Sequence, residues 1–153
     1  MHGSSGSFSV LADQDRFGQP VTFLNGRFDI KISASDTGGA LCVIDTIRMA
    51  RGGPPLHFHH EQDELFFVQE GDFRFRIGDA THELGPGDFI FGPRRVPHAF
   101  VNLTETGRLM VGFQPAGTME AFFAEGLRDA TSATFRELSR KHGMEVAGPP
   151  PAF

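Results

Sequence analysis

The residues able to do chemistry gather in one short stretch, His57-Phe58-His59-His60-Glu61-Gln62-Asp63-Glu64, with His98 as a distant candidate partner. On an extended strand, residues two apart point the same way, so His57 and His59 would present both imidazoles to one side. Glu64 lies five positions beyond His59, the wrong parity for an uninterrupted strand. A turn or bulge must intervene, and His60-Glu61-Gln62-Asp63 supplies suitable residues. Leu65-Phe66-Phe67-Val68 is strand-like, which makes Glu64 the start of a return strand. Two imidazoles and a carboxylate meeting at a point outline a metal site. The same residues also fit a loop that is merely rich in histidine, and the local pattern leaves both readings open. His2, His82 and His142 read as surface or hydrogen-bonded core residues. His60 and Asp63 read as turn residues, or as groups that orient ligands rather than bind metal themselves.

Positioning such a cluster requires strands, and the chain supplies them at short intervals. Phe8 to Leu11 and Val21 to Leu24 are brief apolar pieces, followed by an Asn25-Gly26 turn signal and an alternating segment Phe28 to Ser33. Ala40 to Met49, Leu65 to Gln69, Phe73 to Ile77, Thr81 to Leu84, His98 to Leu103 and Leu109 to Gln114 all read as strands. Phe89-Ile90-Phe91 is wholly apolar, which predicts a strand buried on both faces. Gly92-Pro93-Arg94-Arg95-Val96-Pro97 must be a loop, because prolines do not fit a central strand. The tail changes period. Thr118 is the expected N-cap of a helix whose Met119, Phe122 and Phe123 share a face, and a second helix, about 132–142, carries Phe135 and Leu138 inward. Pro149-Pro150-Pro151 leaves the ending extended. Strands every eight to twelve residues with Gly and Pro between them predict an all-β sandwich or barrel.

Composition narrows the function classes. One hundred and fifty-three residues suit one domain, with Met1 to Ser7 expected to be a disordered arm or tag remnant and 8–153 the domain. A net charge of −5 without a basic stripe argues against nucleic acid. No apolar run approaches the ~18 residues needed to span a bilayer, and no signal-peptide core is evident, so no membrane partner is expected. Cys42, the single cysteine, reads as a small buried hydrophobe and fits a reducing cytoplasm. Seventeen Phe stand beside no Tyr and no Trp, which excludes any mechanism needing a phenol from the protein.

The motif residues resemble a known family. Gly52-Gly53-Pro54-Pro55-Leu56-His57-Phe58-His59, then Glu64, then Gly71, resembles the first cupin motif. Gly87-Asp88-Phe89-Ile90-Phe91-Gly92-Pro93, followed by His98 and Asn102, resembles the second. The likeness covers about residues 38–115, with the helical tail at about 117–143. Two positions depart from the pattern, Arg51 at the first motif's leading glycine and Arg95 at a glycine of the second. Both touch loop geometry rather than ligands. The resemblance implies a double-stranded β-helix, or jelly-roll, barrel with short C-terminal helices, similar to small quercetin-dioxygenase-like cupins. It also implies one divalent transition metal (Fe, Mn, Ni, Cu or Zn) held by His57, His59, Glu64 and His98, and, on family grounds, a homodimer. Three imidazoles and a carboxylate leave positions open for water, substrate or dioxygen, and the absence of thiolates argues against structural zinc.

Parity extends the site. If Glu64 points inward so does Phe66, and if His98 does so does Phe100; with Phe91, Phe113 and Met49 these would form an apolar substrate pocket. Each of these Phe also reads as plain core. Arg48 and Gln114 are possible polar anchors, although a solvated face is the expectation for Arg48. Three functions compete. The favoured one is an oxygenase acting on a phenolic, polyketide-like or other aromatic small molecule, with Glu64, if it loosens from the metal, taking a substrate proton. The others are a redox-neutral isomerase, cyclase or lyase, and a non-catalytic ligand-binding barrel.

Overall fold

The computed structural model describes residues 6–126 and 132–153, so most of the expected N-terminal arm, His2 included, lies outside the described residues. The strands run β1 (Val21–Phe23), β2 (Gly26–Ile32), β3 (Cys42–Arg48), β4 (Leu56–His59), β5 (Asp63–Glu70), β6 (Phe73–Ile77), β7 (Ala80–Leu84), β8 (Phe89–Gly92), β9 (His98–Asn102) and β10 (Gly107–Gln114). Helices α1 (Met119–Ala124) and α2 (Ser132–Lys141) follow, then β11 (Met144–Gly148). They build two antiparallel sheets, one ordered β1-β2-β3-β10-β5-β8 and the other β11-β4-β9-β6-β7. The architecture is the expected all-β jelly-roll barrel with short C-terminal helices. No helix among the described residues is long and apolar enough to cross a membrane.

Phenylalanine fills the barrel. Phe66, Phe73, Phe75 and Phe100 are buried and meet with ring centroids 5.1 to 6.1 Å apart. Each such ring contributes about 2–3 kcal/mol by leaving water. Tilted and edge-on packing of this kind adds roughly 0.5–1.5 kcal/mol per pair. One end of the barrel is closed by the helices. Met119 and Phe122 of α1 and Phe135 and Leu138 of α2 are buried, as the helical periodicity predicts. Thr118 does precede α1, but its hydroxyl bonds His142 Nδ1 at 2.7 Å instead of capping the helix. On the other side of α1, Glu120 accepts from Ser33 Oγ at 2.9 Å and from the Ala34 amide, anchoring α1 to the short 3-10 turn Ala34–Asp36.

Three local expectations are corrected and one strand is added. The β1–β2 hairpin turns on Leu24-Asn25 rather than Asn25-Gly26: Phe23 pairs with Gly26, and Leu24 and Asn25 hold positive φ of 48° and 58°. Phe89 and Phe91 are about half exposed, because β8 lies at the edge of its sheet and only its inward side meets the core. Met49 is also half exposed, since Arg48 takes the inward parity at the end of β3. In addition, the chain beyond the second helix holds a strand that its sequence did not single out. Met144–Gly148 forms β11 and pairs with β4, so the strand carrying His57 and His59 is flanked on both sides.

Candidate metal centre

The four sequence candidates converge. His57 and His59 lie on β4 with a two-residue spacing, His98 opens β9 directly opposite His57, and Glu64 reaches across from β5 in the other sheet. Residues 60–62 form the turn that restores the parity of Glu64. One ligand atom from each of the four lies within 4.8 Å of all the others, and all four residues are buried. Their neighbours tighten the geometry. Gly53 permits the chain entering β4 to pass against β9, because a Cβ there would collide with the Phe100 carbonyl. Asp63 holds Arg94 through the Arg94 amide at 2.9 Å and its guanidinium at 3.1 Å, which ties the loop before His98 to the start of β5.

Hydrogen bonding orients the imidazoles as ligands need to be oriented. His57 Nδ1 lies 2.8 Å from the Pro55 carbonyl and His98 Nδ1 lies 3.2 Å from the Val96 carbonyl. A carbonyl accepts only, so each Nδ1 is assigned as the donor, which leaves a lone pair on Nε2 facing inward. His59 Nε2 and His98 Nε2 then meet the same oxygen, Glu64 Oε1, at 2.9 and 2.8 Å. For His98 this sets a lone pair against a carboxylate unless a positive charge intervenes, whether a second proton on His98 or a metal cation. Burial pushes His98 down, but the charge and hydrogen bond of Glu64 together with the Val96 carbonyl outweigh it and raise the net value. Burial likewise pushes Glu64 up, while the charge on His98 and the hydrogen bonds from His59 and His98 hold it well below the usual carboxylate range. Burial, reinforced by the His98 and His59 charges, drives His57 down to about 3, so it is neutral and available as a ligand. His59 Nδ1 is buried and has no hydrogen-bond partner among the described residues. A donor set of three imidazoles and one carboxylate, two of the imidazoles fixed from behind by backbone carbonyls, fits a divalent transition metal.

Above the cluster is a cavity whose wall is almost entirely apolar. Phe66, Phe100 and Phe113 line it, as do Phe122, Phe123 and Phe135 from the helical lid. Met49 and Phe91, both expected in the pocket, are not among its lining residues; their side chains point outward for the parity reasons given above. Gln114 is exposed and stays outside as well. Arg48, expected on a solvated face, is only 1% exposed and lines the cavity with Thr46. The signal that would have found it is the period-two pattern of β3, which puts Ile44, Thr46 and Arg48 on one face.

Comparison with known proteins agrees with this picture. A family model described as a cupin domain matches residues 46–113. An uncharacterized protein of Streptomyces coelicolor is 34% identical over 56 residues, covering 37% of this chain and 53% of that protein. The chain thus spans about half the length of the curated relative it matches. Among solved structures, an RmlC-like cupin from Shewanella frigidimarina superposes with a TM-score of 0.61 at 18% identity, covering 72% of this chain and 93% of that one. The polyketide cyclase RemF from Streptomyces resistomycificus superposes with a TM-score of 0.52 at 23% identity, covering 74% and 80%. At these identities the two structures speak to the fold.

Proposed function

We propose that this chain, whose residues 46–113 match a cupin domain, is a metal-dependent oxygenase acting on an apolar, aromatic small molecule. The observation that carries the reading is a buried three-histidine, one-glutamate donor set opening into a cavity walled by phenylalanine. His57, His59, Glu64 and His98 would hold the metal, which when bound supplies a Lewis-acidic centre able to engage dioxygen or a substrate oxygen. The protein's own groups do the rest. Phe66, Phe100 and Phe113 bind the substrate's apolar body and exclude water, strengthening every electrostatic interaction inside. Glu64, if it loosens from the metal, would accept a substrate proton at a carboxylate oxygen. The Pro55 and Val96 carbonyls hold the rings of His57 and His98 in a single orientation.

A second reading is supported by the state of Glu64. An ionised base beside an electrophilic centre suffices for an isomerase, cyclase or lyase that consumes no oxygen. Oxygen-electrode measurements on metal-loaded protein with a panel of phenols and polycyclic aromatic ketones separate the two. The oxygenase reading expects stoichiometric oxygen uptake, lost in Glu64→Gln. Substrate conversion under anaerobic conditions at the aerobic rate would instead establish the redox-neutral enzyme.

A further inference from the structure

Arg48 is the largest fully buried side chain among the described residues. It stands on the inward face of β3 and lines the same cavity as the metal candidates. Its Nη2 donates to the Leu24 carbonyl at 2.6 Å, and its guanidinium lies 5.7 Å from the centroid of the Phe100 ring. Among the described residues its Nε has no hydrogen-bond partner and no carboxylate forms an ion pair with it. Burial lowers Arg48 to about 10, so the group stays a cation at neutral pH. Thr46, two residues earlier on the same face, lines the cavity as well, and its buried hydroxyl is also without a partner. Room for both groups is made by Gly26, which pairs with Arg48 across β2 and β3. A Cβ on Gly26 would collide with Arg48 Nη1 and stand 3.1 Å from Thr46 Oγ1.

A buried cation without a counter-charge is costly, and so is a buried hydroxyl without a partner. Here Arg48 Nε and Thr46 Oγ1, both buried without a partner among the described residues, share one face of one strand in a cavity that is apolar apart from the metal candidates. A guanidinium presents its donors in a planar fork that matches a carboxylate. We propose that Arg48 and Thr46 form an anion-binding subsite, so that the cavity takes an aromatic or apolar molecule carrying a carboxylate. One carboxylate suits the site better than a phosphate, because a single cation in an apolar wall balances one negative charge. The proposal rests on the cavity being the substrate site, as in the reading above, and adds a substrate class to it. Arg48 would anchor the acid while the apolar body of the ligand lies along the phenylalanine wall toward Glu64.

The test uses the intact chain and two probes of nearly the same shape, benzoate and benzamide, titrated calorimetrically. Because a carboxylate can also bind a metal directly, both probes are measured on zinc-loaded and on chelator-stripped protein. The expected result is at least a tenfold preference for benzoate in the stripped protein. That preference should be lost in Arg48→Met, with benzamide affinity unchanged, and kept in part in Arg48→Lys. Equal binding of acid and amide in the stripped wild type overturns the proposal without any substitution, so a misfolded Arg48→Met cannot shield it. A preference that appears only with zinc, or that survives in a folded Arg48→Met, overturns it too. Failure of the metalloenzyme reading looks different: the stripped protein prefers benzoate, yet takes up no metal.

Discussion

His57 and Glu64 are almost equally buried, yet only for Glu64 do the neighbours outweigh the cost of charge. The Glu64 carboxylate is compensated by His59 and His98, whereas His57 faces two further histidines and stays neutral. The pH consequence has a definite sign. Between about 6.5 and 3 an unfolded chain carries a proton on residue 57 that the folded chain does not, so the folded state loses stability as pH falls through that window. Urea midpoints of metal-stripped protein at pH 7 and pH 5 test this. Wild type should lose stability relative to His57→Gln on going to pH 5, and a pH-independent difference would rule it out. His98 works in the opposite sense toward the metal. Its raised affinity for a proton makes that proton a competitor, so metal affinity should increase from pH 6 to pH 8. Glu64→Gln, which keeps the shape and removes the charge, should weaken metal binding by about tenfold or more. Competition titration with a chelating dye measures both effects.

At the scale of elements, the loop from β8 to β9 decides whether His98 arrives in register. Arg95 in that loop holds a left-handed φ of 67° and donates its amide to the His59 carbonyl at 2.7 Å, so the loop is stitched to the strand that carries two of the candidate ligands. A β-branched residue is penalised in that conformation and glycine is not. Arg95→Val should therefore cost more than about 1 kcal/mol, and Arg95→Gly should be neutral or mildly stabilising. Chemical denaturation of the two variants gives both numbers; equal values would show that the loop relaxes freely. Most of the strands were legible because their faces alternate: Phe73-Arg74-Phe75-Arg76-Ile77 states its inward side in its own spelling, and β6 spans those residues. Where spelling and environment part company, reading failed. Phe89-Ile90-Phe91 is apolar throughout, but nothing in three residues says that one side of β8 faces solvent. Arg48 carries a charge that argues for the surface, and only its parity with Ile44 pointed inward. β11 was invisible because a five-residue strand following a helix is defined by its partner β4, not by its own pattern.

For the whole molecule, site and core are continuous. The rings that fill the barrel also wall the cavity, and the metal candidates bridge the two sheets, β4 and β9 on one side and β5 on the other. A cation bound there would cross-link the sheets through four buried side chains of the barrel, so binding should raise global stability. At a free metal concentration of 100 times Kd the gain is about 2.7 kcal/mol, which for a domain of this size corresponds to roughly 5–10 °C in Tm. Scanning calorimetry with and without added metal checks this, and a shift of the same size in His59→Ala would show that the metal binds elsewhere.

The most direct measurement is the metal content of the purified, tag-free chain by elemental mass spectrometry, made in parallel on His59→Ala. One transition-metal ion per chain, retained through dialysis and lost in the variant, is the predicted result, with iron, nickel, copper or manganese favouring the oxygenase and zinc the redox-neutral enzyme. A wild-type chain that holds no metal and takes up none on reconstitution would contradict the metal centre itself.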